Sequence, residues 1–117
     1  MSDFFTSNAV GPVTVVEFQT ESLMAAHELD QIGAALYRLV EVDGHKLVLM
    51  DFGKVRYLSS QAIGIVMAMR KKISAIKGGK FVLCCVGSEV QQLLKITGLE
   101  KLLTIKPTQK DGLNAFE

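Results

Sequence analysis

Cysteine is scarce. Only Cys84 and Cys85 occur among 117 residues, and they are adjacent. Neighbours in a strand point to opposite faces, so a disulfide between them is strained, and no third cysteine offers a partner. His27 and His45 are the only histidines, and the set is too small and badly spaced for a zinc site, so no metal or cofactor is expected. The cysteines read as small apolar strand residues in a reducing compartment, the cytoplasm. Charge of one sign is also missing. Thirteen basic against 12 acidic residues leave a formal charge of +1, which supplies no field to attract nucleic acid or an anionic membrane. No apolar run approaches the roughly 18 residues of a membrane span, so no direct membrane insertion is expected. Met1-Ser2-Asp3-Phe4-Phe5 has no basic stretch followed by an apolar one, so no signal peptide is expected. Three catalytic signatures are absent: GxxxxGK[ST], GxGxxG after a strand, and GxSxG. These absences argue against an enzyme.

What is present suits a single soluble domain over residues 1–117. Hydrophobic residues make up 49% and charged residues 21%, a globular balance. Val13–Phe18 is β-branched and aromatic and reads as a strand, with Gly11-Pro12 as a turn and a short strand at Phe4–Asn8 completing a hairpin. Ser22–Val42 reads as a helix, with Leu29, Ile32, Leu36, Leu39 and Val40 at helical spacing. Lys46–Phe52 is a nearly continuous apolar run, as in a strand covered on both faces. Residues 53–58 read as a loop. Ser59 or Ser60 opens a second helix reaching Lys77. Phe81–Val86 reads as a strand, and a helix capped by Ser88 runs to Gly98. Leu102–Ile105 reads as a short strand and 108–116 as a terminal helix. The order β-β-α-β-α-β-α-β-α predicts an α/β fold with a mixed, mostly parallel sheet and helices packed against it.

Asp51 at one strand end and Lys106-Pro107 at another resemble a response-regulator receiver. A receiver needs an acidic pair after its first strand to hold magnesium. Gln19-Thr20-Glu21-Ser22 does not supply it, Asp3 is isolated, and the opening hairpin is out of place. Asp51 reads instead as a carboxylate taking backbone N–H bonds in the next loop.

The informative segment is Val55-Arg56-Tyr57-Leu58-Ser59-Ser60-Gln61-Ala62-Ile63-Gly64-Ile65-Val66. A serine pair stands where a helix starts, with unpaired N–H groups and partial positive charge. A serine there caps the helix, and a phosphate there is electrostatically tolerated. Ala62–Met69 is apolar all round, which fits either burial or an apolar contact surface beside the serines. Gly64 admits close approach, by a partner or by the domain's own sheet. Arg56 and Tyr57 flank the loop, as interface anchors or as ordinary loop packing. Arg70, Lys71, Lys72, Lys77 and Lys80 are explained by a helix C-terminal dipole and solubility, without nucleic acid.

On these residues the chain resembles the STAS domain, the anti-sigma factor antagonist family, from about Val10 to Phe116. Val48-Leu49-Met50-Asp51 matches the family's strand ending in Asp. Tyr57-Leu58-Ser59-Ser60-Gln61-Ala62-Ile63-Gly64 matches its D-S-S-G-L-G turn. Ser60 falls on the phosphorylated serine. Ser59 replaces the aspartate, Gln61 the second serine and Ala62 the first glycine, while Gly64 keeps the second. The resemblance implies a non-catalytic partner switch. Unphosphorylated, it binds an anti-sigma factor with a histidine-kinase-like ATPase fold. Phosphorylation at Ser60, with Ser59 a secondary acceptor, releases it, and a PP2C-type phosphatase restores binding. Arg56, Tyr57, Ser59, Gln61, Ile63, Gly64 and Met67 are the expected partner-binding residues, on a monomer. The missing aspartate also fits a non-phosphorylated STAS scaffold or accessory subunit of a larger, for instance membrane transport, assembly.

Overall fold

The computed structural model describes residues 4–117. Met1, Ser2 and Asp3 lie outside the described residues, and with them part of the stretch read above for a signal peptide. Strands β1 (Phe5–Val10) and β2 (Val13–Phe18) form the expected antiparallel hairpin, with Phe5 opposite Phe18 and Val10 opposite Val13. Gly11 turns the chain at φ 59°, backbone that suits glycine. Beyond the hairpin come β3 (Ser22–Leu23), α1 (Ala26–Glu41), β4 (Leu47–Asp51), β5 (Tyr57–Leu58), α2 (Ser60–Ser74), β6 (Lys80–Cys84) and α3 (Ser88–Ile96). A 3-10 turn (Leu99–Leu102), β7 (Thr104–Lys106) and α4 (Gln109–Asn114) complete the chain.

The main sheet has the order β1-β2-β4-β6-β7, and every pair after the hairpin is parallel. From β2 onward each new strand is added on the same side of the last. Right-handed crossovers then place every connecting helix on one face. The core shows this arrangement. Val16, Phe18, Val48, Met50, Phe81 and Leu83 pack with Leu29, Ile32 and Leu36 of α1, Val66, Met69 and Ile73 of α2, and Val90 and Leu94 of α3. The alternate strand residues Val13, Val15, Leu49, Val82 and Cys84 face the other way, where Leu113, Ala115 and Phe116 cover them. The period of two in the apolar runs thus builds two cores of unequal size. α4 sits close to the sheet because Gly112 has no side chain. A Cβ there would stand 2.7 Å from Leu49 Cδ1 and 3.2 Å from Cys84 Cβ.

Several expected boundaries shift. The helix predicted from Ser22 starts at Ala26, because the chain before it pairs elsewhere. Ser22–Leu23 lies parallel to Tyr57–Leu58, inside the segment expected to be loop. The N–H groups of Arg56 and Tyr57 donate to Glu21 O at 2.8 and 3.2 Å, and Ser59 N–H donates to Leu23 O at 3.0 Å. α2 stops at Ser74, not Lys77. Ser88 does not cap α3: Gly87 holds the cap position and the Ser88 hydroxyl turns to Glu89, 3.3 Å away. Leu102 belongs to the 3-10 turn, so the last strand is later than predicted. Cys85 and Val86 lie past the end of β6, and Cys85 has a left-handed backbone with φ 59°.

Candidate partner-binding and phosphorylation site

The two serines differ in what their hydroxyls do. Ser59 is the N-cap of α2, with extended backbone, and its Oγ accepts the Ala62 N–H at 3.2 Å. Ser60 is the first helical residue and is exposed. Its hydroxyl has no hydrogen-bond partner among the described residues. The first turn of α2 carries no acidic residue of its own to offset the helix end's partial positive charge.

Downstream, α2 is amphipathic in a way the apolar run concealed. Ala62, Ile65, Val66, Met69 and Ile73 are buried against the sheet and α1. Ser60, Gln61 and Gly64 are exposed, and Ile63 and Met67 are partly buried. Spacings of three and four place Ser60, Ile63, Gly64 and Met67 on one side of the helix. The two alternatives for this run, core and surface, are therefore each true of half of it. Gly64 is not needed for internal packing: no atom lies within 4 Å of where its Cβ would be. Ile63 and Met67 continue inward to a small apolar cleft lined by Phe52, Leu58, Val86 and Val90.

The flanking residues are held in place. Arg56 reaches Glu21 at 3.5 Å and Glu89 at 3.3 Å, and its guanidinium carbon lies 5.9 Å from the Tyr57 ring centroid. Hydrogen bonding to Glu89 raises the Arg56 pKa above its ordinary value. The Glu89 carboxyl is lowered, first by its own N–H at the start of α3 and then by Arg56. Tyr57 is half exposed, at 50%. Gln61 Nε2 donates to Asp30 Oδ1 at 2.8 Å, which ties α2 to α1. The structure thus gathers Arg56, Tyr57, Ser59, Ser60 and Gln61 around the β5–α2 junction and sets Ile63, Gly64 and Met67 along the adjoining helix. The basic residues expected at the end of α2 do not form one patch. Arg70 Nε donates to Leu102 O at 2.6 Å, Lys72 pairs with Glu41 at 3.0 Å over the Tyr37 ring, and Lys80 bonds Ala115 O.

Asp51 takes the Gly53 N–H at 2.7 Å, as expected of a strand-end carboxylate. It also accepts from Gln109 Nε2 of α4 at 2.8 Å, and the same amide reaches Glu17 Oε2 at 3.2 Å. Counting cysteines and histidines missed one grouping: Asp51 stands with Cys84 and Cys85, their ligand atoms all within 4.8 Å of one another. Register across the sheet, Asp51 opposite Cys84, is what brings them together, and spacing along the chain does not reveal it. Burial pushes both thiols up from their ordinary pKa, and the Asp51 charge adds to this. No helix among the described residues is long and apolar enough to cross a membrane.

Comparison with known proteins gives the family and the fold. The family model of the STAS domain matches residues 6–112. The anti-sigma F factor antagonist of Paenibacillus polymyxa is 22% identical over 91 residues, which cover 78% of this chain and 77% of that protein. An anti-sigma-factor antagonist (STAS) domain protein of Planctomyces limnophilus superposes with a TM-score of 0.85 at 22% identity, covering 97% of each chain. The phosphorylated form of the Bacillus cell fate determinant SpoIIAA superposes with a TM-score of 0.71 at 16% identity, covering 97% of this chain and 99% of that one.

Proposed function

The chain belongs to the STAS domain family, and from that premise we propose that it is a phosphorylation-controlled partner switch acting on an anti-sigma factor. The observation that carries this reading is the division of labour at the start of α2. Ser59 caps the helix, which leaves Ser60 exposed and unbonded beside the stripe of Ile63, Gly64 and Met67. That stripe and the half-exposed Tyr57 are the contact surface for an anti-sigma factor with a histidine-kinase-like ATPase fold. The partner transfers the γ-phosphoryl group of ATP to Ser60 Oγ, and ADP leaves. The added group carries roughly −1.5 to −2 charges, and an interface desolvates such a charge only at high cost. The complex therefore separates. A PP2C-type phosphatase hydrolyses the ester, and inorganic phosphate leaves. Relatives named as antagonists and a neighbour solved in a phosphorylated form support the reading.

Serine in place of the family's aspartate at position 59 keeps a cap, because serine and aspartate cap helices about equally well. It removes a negative charge next to the acceptor. Ser59 is the poorer acceptor of the two, since esterifying its Oγ disturbs the bond to Ala62 N–H. The test is a pull-down from native lysate with Ser60→Ala and Ser60→Asp as matched baits. An ATPase-fold protein retained by the alanine bait and lost from the aspartate bait is the expected result. The same partners on both baits, with no such protein among them, overturn the switch and favour a constitutive scaffold.

A further inference from the structure

We propose that the carboxyl ends of β4 and β6 form a site for a thiophilic divalent cation, zinc in class, held by Cys84 Sγ, Cys85 Sγ and a carboxylate oxygen of Asp51. It stands apart from the serine switch and does not depend on that reading. The three ligand atoms lie within 4.8 Å of one another. Bonds of about 2.3 Å to sulfur and about 2.1 Å to oxygen in a tetrahedral ion set ligand atoms roughly 3.5–3.8 Å apart. The site needs to contract by at most about 1.3 Å to close on such an ion.

The backbone supplies the first argument. Cys85 is the only non-glycine residue with positive φ among those described, at 59°. Such backbone is uncommon for a side-chain-bearing residue, and an observed outlier of this kind points toward a site. In a continued strand Cys84 and Cys85 would face opposite sides of the sheet. The left-handed residue directly after β6 instead brings the second thiol to the first, and both to Asp51.

The second argument is the setting. Cys84 is fully buried, Asp51 is 8% exposed and Cys85 is partly buried, so two of the three ligands are out of solvent and the third lies at its edge. Asp51 is fixed by two donors, the Gly53 N–H on one oxygen and Gln109 Nε2 on the other. Outer partners of this sort orient a ligand and tune a metal. Two sulfurs and one carboxylate suit zinc, and they exclude calcium and magnesium, which take oxygen. On binding, each thiol loses its proton to solvent, two metal–sulfur bonds and one metal–oxygen bond form, and no electron changes hands. The fourth position falls to water.

The experiment uses the full chain, reduced and metal-free, with Co2+ as the probe. One equivalent is expected to give thiolate-to-metal charge transfer in the near ultraviolet and the visible bands of a tetrahedral ion, both bleached by Zn2+. Gln109→Ala keeps the spectrum and weakens Co2+ binding about 10- to 100-fold. Cys85→Ala and Asp51→Asn, each checked for native circular dichroism, alter the bands or lose them. Absence of a thiolate band at saturating Co2+, with both thiols counted free after denaturation, overturns the site. So does an unchanged spectrum in natively folded Cys85→Ala.

Discussion

Ser59 and Ser60 carry the same side chain one residue apart, and the helix start gives them different physics. Removing the Ser59 hydroxyl leaves the Ala62 N–H without its partner. Ser59→Ala is therefore expected to cost about 1 kcal/mol in urea denaturation, the usual loss for a serine cap. Ser60→Ala touches no bond among the described residues and should leave the urea midpoint where it is. Gly64 is the second informative residue. Its would-be Cβ meets open space, so Gly64→Ala should gain up to about 1 kcal/mol of helix propensity. If a partner packs against this stripe, the same variant binds less tightly while being more stable, which competition binding against the unaltered chain would read out. The sequence made the serine pair legible as a helix start. It did not say which serine caps, because that depends on where the preceding chain is tied, and the tie is made by Glu21 and Leu23 more than 30 positions away.

At the scale of elements, the long apolar runs at 46–52 and 81–86 were readable because strands buried on both faces leave no polar positions. The two-residue strands β3 and β5 were not readable. Neither has a pattern of its own, and each exists only because the other is beside it. Their pairing takes Ser22 and Leu23 out of the helix expected over Ser22–Val42. Arg56, just before β5, extends this tie by linking Glu21 to Glu89 at the start of α3. Glu89 is held below its ordinary pKa in the folded state. Its small contribution to stability is thus present above the unfolded pKa and fades as pH falls through the folded one. Arg56→Ala should move the Glu89 carboxyl titration upward without returning it fully, since its own N–H at the helix start is the larger cause. Carbon-detected NMR titration of the Glu89 carboxyl checks this. A fixed Glu89 pKa in that variant would mean the pair is not formed in solution.

For the whole molecule, the alternation of runs predicted a mixed, mostly parallel sheet with helices packed against it; the spatial strand order and the one face shared by α1, α2 and α3 came from the structure. The inequality of the two faces did not follow. Three helices cover one face and α4 alone the other, where Gly112, lacking a Cβ, lets α4 meet Leu49 and Cys84. Gly112→Val should destabilise the domain by about 1–3 kcal/mol through overpacking. It should also open Cys84, buried beneath α4, to thiol reagents under native conditions, with the labelled cysteine identified by peptide mapping. Normal stability and a silent Cys84 would show that α4 can reseat.

The strand order bears on how the protein is made. Chains emerge N-terminus first, at about 5–20 residues per second. Here each newly emerged strand of the main sheet from β2 onward finds its partner already in place, and the crossover helices join the face begun by α1. The opposite face waits. Val13, Val15, Leu49, Val82 and Cys84 are all synthesised before Leu113, Ala115 and Phe116, which cover them. Until α4 and the residues just after it clear the ribosome, the nascent domain carries a nearly complete sheet with one apolar side bare. Nascent-chain chaperones have a surface to hold there, and truncations that stop short of α4 leave it exposed for good.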